Sequence, residues 1–242
     1  MKFLVNPGKF NEMADYMFKP ILISSIVLFA IGLLFSFYLS PDDYQQGSTV
    51  RIMYVHVPSA WLALLTYAIM ILYSILALAF RIPFGFIFNT AVAPIGAVFT
   101  LICIISGSLW GKPMWGTWWV WDARLTSMLI LFFFYLGFIL LHNAFERKVD
   151  GSKSASVLAI IGIINLPIIK FSVDWWHTLH QPSSILKFDG PSIDNQMLLP
   201  LTLMIIGFGL FSLYLIIVNV KTKLIEKKCE ALILKLNLKE LS

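Results

Sequence analysis

An all-α, polytopic membrane protein with six transmembrane helices and a tryptophan-rich outer loop is the fold class that this chain predicts. Two observations carry the expectation. Of 242 residues, 59% are hydrophobic and only 13% charged, with a mean hydropathy of +0.83. A soluble chain is about 25% charged. Six stretches almost free of charged side chains are also long enough to cross a bilayer as helices. This composition excludes a soluble enzyme domain, and it excludes disorder, which needs low hydrophobicity.

The spans are expected at about 20–40, 55–80, 84–109, 124–145, 154–173 and 196–220. The first lies between Pro20 and Pro41. With no small-residue cleavage site after Ser40, it reads as a retained signal anchor. The second carries His56 near its start, with Pro58 suited to a first helical turn. The third ends near Gly111. The fourth follows Asp122, which can cap it and complement its positive end. The fifth is the shortest and reaches full length only if Lys170 snorkels at the membrane edge. The sixth ends before Lys221. No repeat and no polar linker divides the chain, so residues 1–242 form a single domain in this reading.

Lysine and arginine set the orientation. If both termini are cytoplasmic, the inner segments hold 13 basic residues and the outer segments only Arg51, Lys112, Arg124, Lys170 and Lys187. The net charge of +5 is thus a topological signal, and no nucleic-acid partner is expected. The basic tail after Lys221 reads as a solvated helix. The two cysteines, Cys103 and Cys229, stand far apart, with no C-x-x-C motif and no disulfide framework.

In this topology all eight tryptophans fall at or beyond the outer face. An aromatic belt would populate both interfaces, so a belt is a poor account of them. The densest run, Trp110–Thr126, joins spans three and four. It offers a broad apolar surface with indole N–H donors, suited to a large planar ligand with polar edges, such as a tetrapyrrole. Lys112 and Arg124 are placed to receive carboxylates. Gly111 and Gly116 are expected to permit turns among bulky neighbours. His56, His177 and His180 lie on the same side, and neutral imidazole is a common axial ligand of haem iron. His177 and His180 are three residues apart, and spacing alone does not choose between them. His142 reads as a polar helix end.

The run Trp115-Gly-Thr-Trp-Trp-Val-Trp-Asp-Ala-Arg-Leu-Thr126 resembles the tryptophan-rich WWD signature of the haem-handling proteins of cytochrome c biogenesis. The six-span form is similar to the haem exporter protein C (CcmC) family. Arg51–Pro58 and Trp175–Gln181 resemble its two histidine segments. The resemblance implies His56 and His180 as axial ligands of haem b. It implies a platform of Trp115, Trp118, Trp119, Trp121 and Asp122, with Arg124 beside it. Pro182 departs from the more usual small residue after the second histidine. The implied role is to hold haem at the outer face of the inner membrane and pass it to the haem chaperone CcmE. The implied partners are CcmA, CcmB and CcmD, in a bacterial or mitochondrial inner membrane. No G-x-x-x-x-G-K-[ST] motif is present, so ATP hydrolysis would fall to a partner. No cysteine nucleophile or acid–base pair stands out at the outer face, so no enzymatic role is expected. The competing reading is a haem permease, which needs polar groups along a path through the spans. Asn165 and Thr100 are isolated candidates for such a path.

Overall fold

A computed structural model of the chain describes residues 6–181, 190 and 193–240. Lys2, Pro182 and Lys187 lie outside the described residues. The helices are α1 (Pro7–Tyr38), α2 (Met53–Leu78), α3 (Phe84–Trp115), α4 (Ala123–Asn143), α5 (Lys148–Ile161), α6 (Asn165–Trp175) and α7 (Asn195–Glu240). Six helical stretches among the described residues are long and apolar enough to cross a membrane, with α5 and α6 forming one of them. No strand occurs among the described residues, so the expected all-α, six-span architecture is the one adopted.

Several boundaries differ from the expected spans for local reasons. Helix α1 starts at Pro7, well before the apolar stretch, because the Asn6 side chain accepts from the Gly8 and Lys9 amides at 2.9 and 3.3 Å. Proline at the first helical position is already set for helix, so the pair nucleates the end. Pro58 does not sit in the first turn: a 3₁₀ turn, Ser48–Ile52, runs straight into α2 and leaves Pro58 six residues inside it. The fifth span runs from Lys148 to Trp175 and is broken by a 3₁₀ turn at Gly162–Ile164. Pro167 explains the break, since it has no N–H to bond the carbonyl four residues back. Helix α7 continues through the basic tail for 46 residues, or about 69 Å at 1.5 Å per residue. A hydrocarbon core is only about 30 Å thick, so the tail projects beyond it.

Helices α2 and α3 form the centre of the bundle. They pack on each other, α7 packs on both, α5 on α2, and α4 on α3. Helix α1 lies outside against α7. Apolar burial gives helices little reason to associate in lipid, so close packing and buried hydrogen bonds carry the contacts. Tyr135 of α4 shows both. Its hydroxyl donates to the Ala63 carbonyl of α2 at 2.7 Å, and its ring fills the space over Gly96 of α3. The Asn89 amide donates to the Met70 carbonyl at 3.0 Å and to the Ser74 hydroxyl at 2.8 Å.

Neither Asn165 nor Thr100 stands isolated. The Asn165 amide donates to the Ser127 carbonyl at 2.9 Å, and the Thr100 hydroxyl to Gly96 at 2.7 Å. Both groups are committed to backbone carbonyls, as the lack of water in a bilayer core requires.

Candidate functional site

The chain enters the bundle with α1 and leaves with α7 at one end, where Lys221 pairs with Asp15. The opposite end collects the C-terminal ends of α1, α3 and α6 and the starts of α2, α4 and α7. All eight tryptophans lie in that half; even Trp61 is only two turns into α2. The histidines divide the same way. His56, His177 and His180 are at the tryptophan end, and His142 closes α4 at the other, with Nδ1 3.2 Å from the Ser152 hydroxyl.

His56 is half-buried in the first turn of α2, and its surroundings come from α3. Nδ1 lies 3.1 Å from the Cys103 carbonyl oxygen and 3.1 Å from the Ser106 hydroxyl. The Trp110 ring meets the imidazole edge-on, with centroids 5.7 Å apart. The Trp110 indole N–H donates to Gln46 at 2.8 Å, which ties this contact to the first connection. Arg51 anchors that connection by pairing with Asp42 at 2.8 Å and donating to the Ser36 and Ser40 carbonyls at 3.2 and 3.3 Å. Cys103, Ser106, Gly107 and Trp110 share one face of α3 through three- and four-residue spacing. That spacing is readable in the sequence, yet only the crossing of α2 over α3 shows that it faces His56.

The tryptophan run divides between helix and loop. Trp110 and Trp115 belong to α3, which continues through Pro113, so the loop proper is residues 116–122. Gly111 makes no turn. It lies inside α3 under the Trp115 ring, where a Cβ would stand 2.9 Å from a ring carbon. Gly116 does turn, with φ of 75° and its N–H donating to the Lys112 carbonyl at 3.0 Å, a left-handed helix end that glycine makes without strain. Asp122 caps α4 as expected, accepting the Leu125 amide at 2.8 Å. Its other oxygen, Oδ2, is buried without a partner among the described residues, and so is the Trp119 indole N–H. Trp118 and Trp121 are 55% and 76% exposed. Trp119 meets Trp121 edge-on at 5.6 Å.

The two basic residues of the run behave differently. Lys112 folds back, donating to the Gly116 carbonyl at 2.9 Å, with its ammonium 5.8 Å from the Trp118 ring centre. Arg124 reaches across to α6, donating to the Ser172 hydroxyl at 3.0 Å and the Lys170 carbonyl at 3.5 Å. It thereby joins the start of α4 to the helix that leads into the His180 segment.

That segment follows α6, where Phe171, Trp175 and Trp176 form a run of ring contacts. His180 Nδ1 donates to the Gln181 carbonyl at 2.8 Å. Burial and the nearby Arg124 guanidinium hold its imidazole below the ordinary pKa of 6.5, against the opposite pull of the Gln181 carbonyl and Asp122. The His56 imidazole lies within electrostatic range of His180 and of Arg124. His56, Asp122, Arg124 and His180, on three segments of the chain, lie at the same end of the bundle, while His177 is exposed. Trp110, which opens the tryptophan run, belongs to the same constellation, as do Ser106 and Ser172, which the tryptophan run does not reveal.

The fold is that of a helical membrane protein with two imidazoles, exposed indoles and unpartnered buried polar atoms at one end of the bundle. The family model of heme exporter protein C, CcmC, matches residues 1–235. The chain is 44% identical over 229 residues to the heme exporter protein C of Bradyrhizobium diazoefficiens, covering 95% of this chain and 87% of that one. It is 46% identical over 203 residues to the protein of the same name from Haemophilus influenzae, covering 84% and 82%. With that of Escherichia coli K12 it shares 43% identity over 218 residues, covering 90% and 88%. The chain belongs to the heme exporter protein C family.

Proposed function

We propose that this protein holds haem b at the outer face of the inner membrane and delivers it to the haem chaperone CcmE during cytochrome c maturation. His56 and His180 supply the two axial imidazoles. Trp115, Trp118, Trp119 and Trp121 supply the flat apolar surface, with Asp122 and Arg124 beside it. The observation that supports the reading is that His56 and His180, on separate segments, lie at the same end of the bundle as the exposed Trp118 and Trp121 and the unpartnered Trp119 N–H and Asp122 Oδ2. These groups fit haem chemically: imidazoles for iron, ring faces for the macrocycle and a guanidinium for propionates.

Both iron positions being filled by nitrogen leaves no open site for oxygen chemistry, which suits carriage rather than catalysis. The site lies at a bundle end and not inside it, so a haem edge stays accessible to a chaperone. The Asn165 and Thr100 side chains are satisfied by backbone, which favours this reading over a haem permease. CcmA, CcmB and CcmD are the proposed partners, with ATP hydrolysis on the ABC-type subunits. The excess of basic residues on the inner segments supports both termini lying on the inner side of a bacterial or mitochondrial inner membrane.

An absorption spectrum of the purified chain with and without haem tests the proposal. Low-spin haem that His56→Ala and His180→Ala each convert to high spin is the expected result. If neither variant changes the spectrum, a bis-histidine site is excluded.

A further inference from the structure

The proton on an imidazole decides which nitrogen can bind iron, so the partners of His56 Nδ1 matter. Two oxygens stand at 3.1 Å from it, the Cys103 carbonyl and the Ser106 hydroxyl. A carbonyl only accepts. The Ser106 hydroxyl spends its own proton on the Ile102 carbonyl at 2.6 Å, with the Cys103 carbonyl next at 3.2 Å, so its oxygen is left as an acceptor toward the ring. The Cys103 thiol, at 3.9 Å, is a weaker and more distant neighbour. Two acceptors facing one nitrogen require the proton there; a bare Nδ1 would oppose lone pair to lone pair. Nε2 then carries the free lone pair. The next residue supplies room: a Cβ on Gly107 would stand 3.1 Å from His56 Cε1.

We propose that Ser106 is a positioning residue, which together with the Cys103 carbonyl holds the proton of His56 on Nδ1 and so leaves the Nε2 lone pair free for the haem iron; this rests on His56 being an axial ligand. Nothing in the tryptophan motif assigns this hydroxyl a role. A hydrogen bond from Nδ1–H also makes the imidazole a stronger donor to ferric iron and lowers the potential of the bound haem. Ser106 is thus placed to tune both how firmly haem is held and how readily it is reduced.

The test uses the full-length chain in nanodiscs, loaded with haem, in four variants: Ser106→Ala, Ser106→Thr, His56→Ala and the double Ser106→Ala/His56→Ala. Alanine is small and keeps α3 helical, and the Cys103 carbonyl remains. The expected result for Ser106→Ala is about fivefold weaker haem retention. A partial shift to high spin that added imidazole reverses and a raised midpoint potential should accompany it. Ser106→Thr keeps the hydroxyl and should restore all three. On the His56→Ala background, Ser106→Ala should have no further effect. The inference is overturned if Ser106→Ala matches the unmodified chain in spin state and potential, or if threonine fails to restore them. It is also overturned if the alanine effect persists without His56. A His56→Ala chain that keeps full low-spin haem instead removes the axial assignment itself, whatever Ser106 does.

Discussion

Alanine at His56 or at His180 removes one imidazole and leaves the other, so the expected product is five-coordinate or water-bound iron with a high-spin spectrum. Added imidazole should refill the vacancy and restore the low-spin bands. His177→Ala should leave the spectrum unchanged, because neighbours three apart on one short segment cannot approach iron from two sides. If His177→Ala loses the low-spin bands and His180→Ala keeps them, the assignment within that segment is wrong. The surroundings of His180 add a pH prediction. Its pKa is held below 6.5 by burial and Arg124, so the imidazole stays neutral where a free histidine is already half charged. As pH falls, axial ligation by His180 should survive through 6.5 and fail only below it. Folding stability follows the same sign: the unfolded chain takes up this proton first, so the folded state loses ground as pH drops below 6.5. A haem titration followed by absorption from pH 8 to 5 measures the midpoint, and a midpoint at or above 6.5 contradicts the expected shift.

The loop at residues 116–122 and the helix ends that flank it test the aromatic platform as a unit. Replacing Trp118 and Trp119 together with leucine keeps the segment apolar but removes two ring faces. Aromatic contacts are worth roughly 0.5–1.5 kcal/mol each, so haem retention should fall by about tenfold. Unchanged retention in a membrane-inserted variant would reduce the loop to an anchor. A second prediction concerns how α3 and α4 meet. Gly96 lies directly under the Tyr135 ring, and a Cβ there would stand 2.2 Å from ring carbons. Gly96→Ala should therefore force the helices apart and cost about 1–3 kcal/mol, read as a lower thermal midpoint in detergent. Helix existence was legible from charge-free stretches, but the ends were less so. Composition alone did not show that Asn6 and Pro7 would start α1 early, or that α3 would carry on through Pro113 to Trp115.

Across the whole chain, the cysteines offer a starting point for a topology experiment. Cys103 is buried in the bundle and Cys229 is exposed on the projecting part of α7. An impermeant thiol reagent should label Cys229 only from the cytoplasmic side, and a Trp118→Cys variant additionally from the opposite side. Labelling of both positions from one side would break the six-span alternation and the external site together. The projecting α7 also puts its apolar residues Ile225, Leu232, Ile233 and Leu236 in the open at the same end as the termini.

The sequence by itself determined that the chain lives in a membrane, how many times it crosses, and where its aromatic and imidazole groups concentrate along it. Those properties depend on composition and charge periodicity, which act locally along a helix. Only the tertiary structure decided which of these groups meet. Arg124 turns to α6 rather than to open solvent, Trp110 packs on His56, and the Ser106 hydroxyl faces Nδ1. Each of these contacts joins residues about 48 to 54 positions apart, and each depends on which helices lie side by side at which rotation. Helix rotation in lipid is decided by close packing at sites such as Gly96 and by buried hydrogen bonds such as Tyr135 to Ala63, and neither is visible until the helices are placed together.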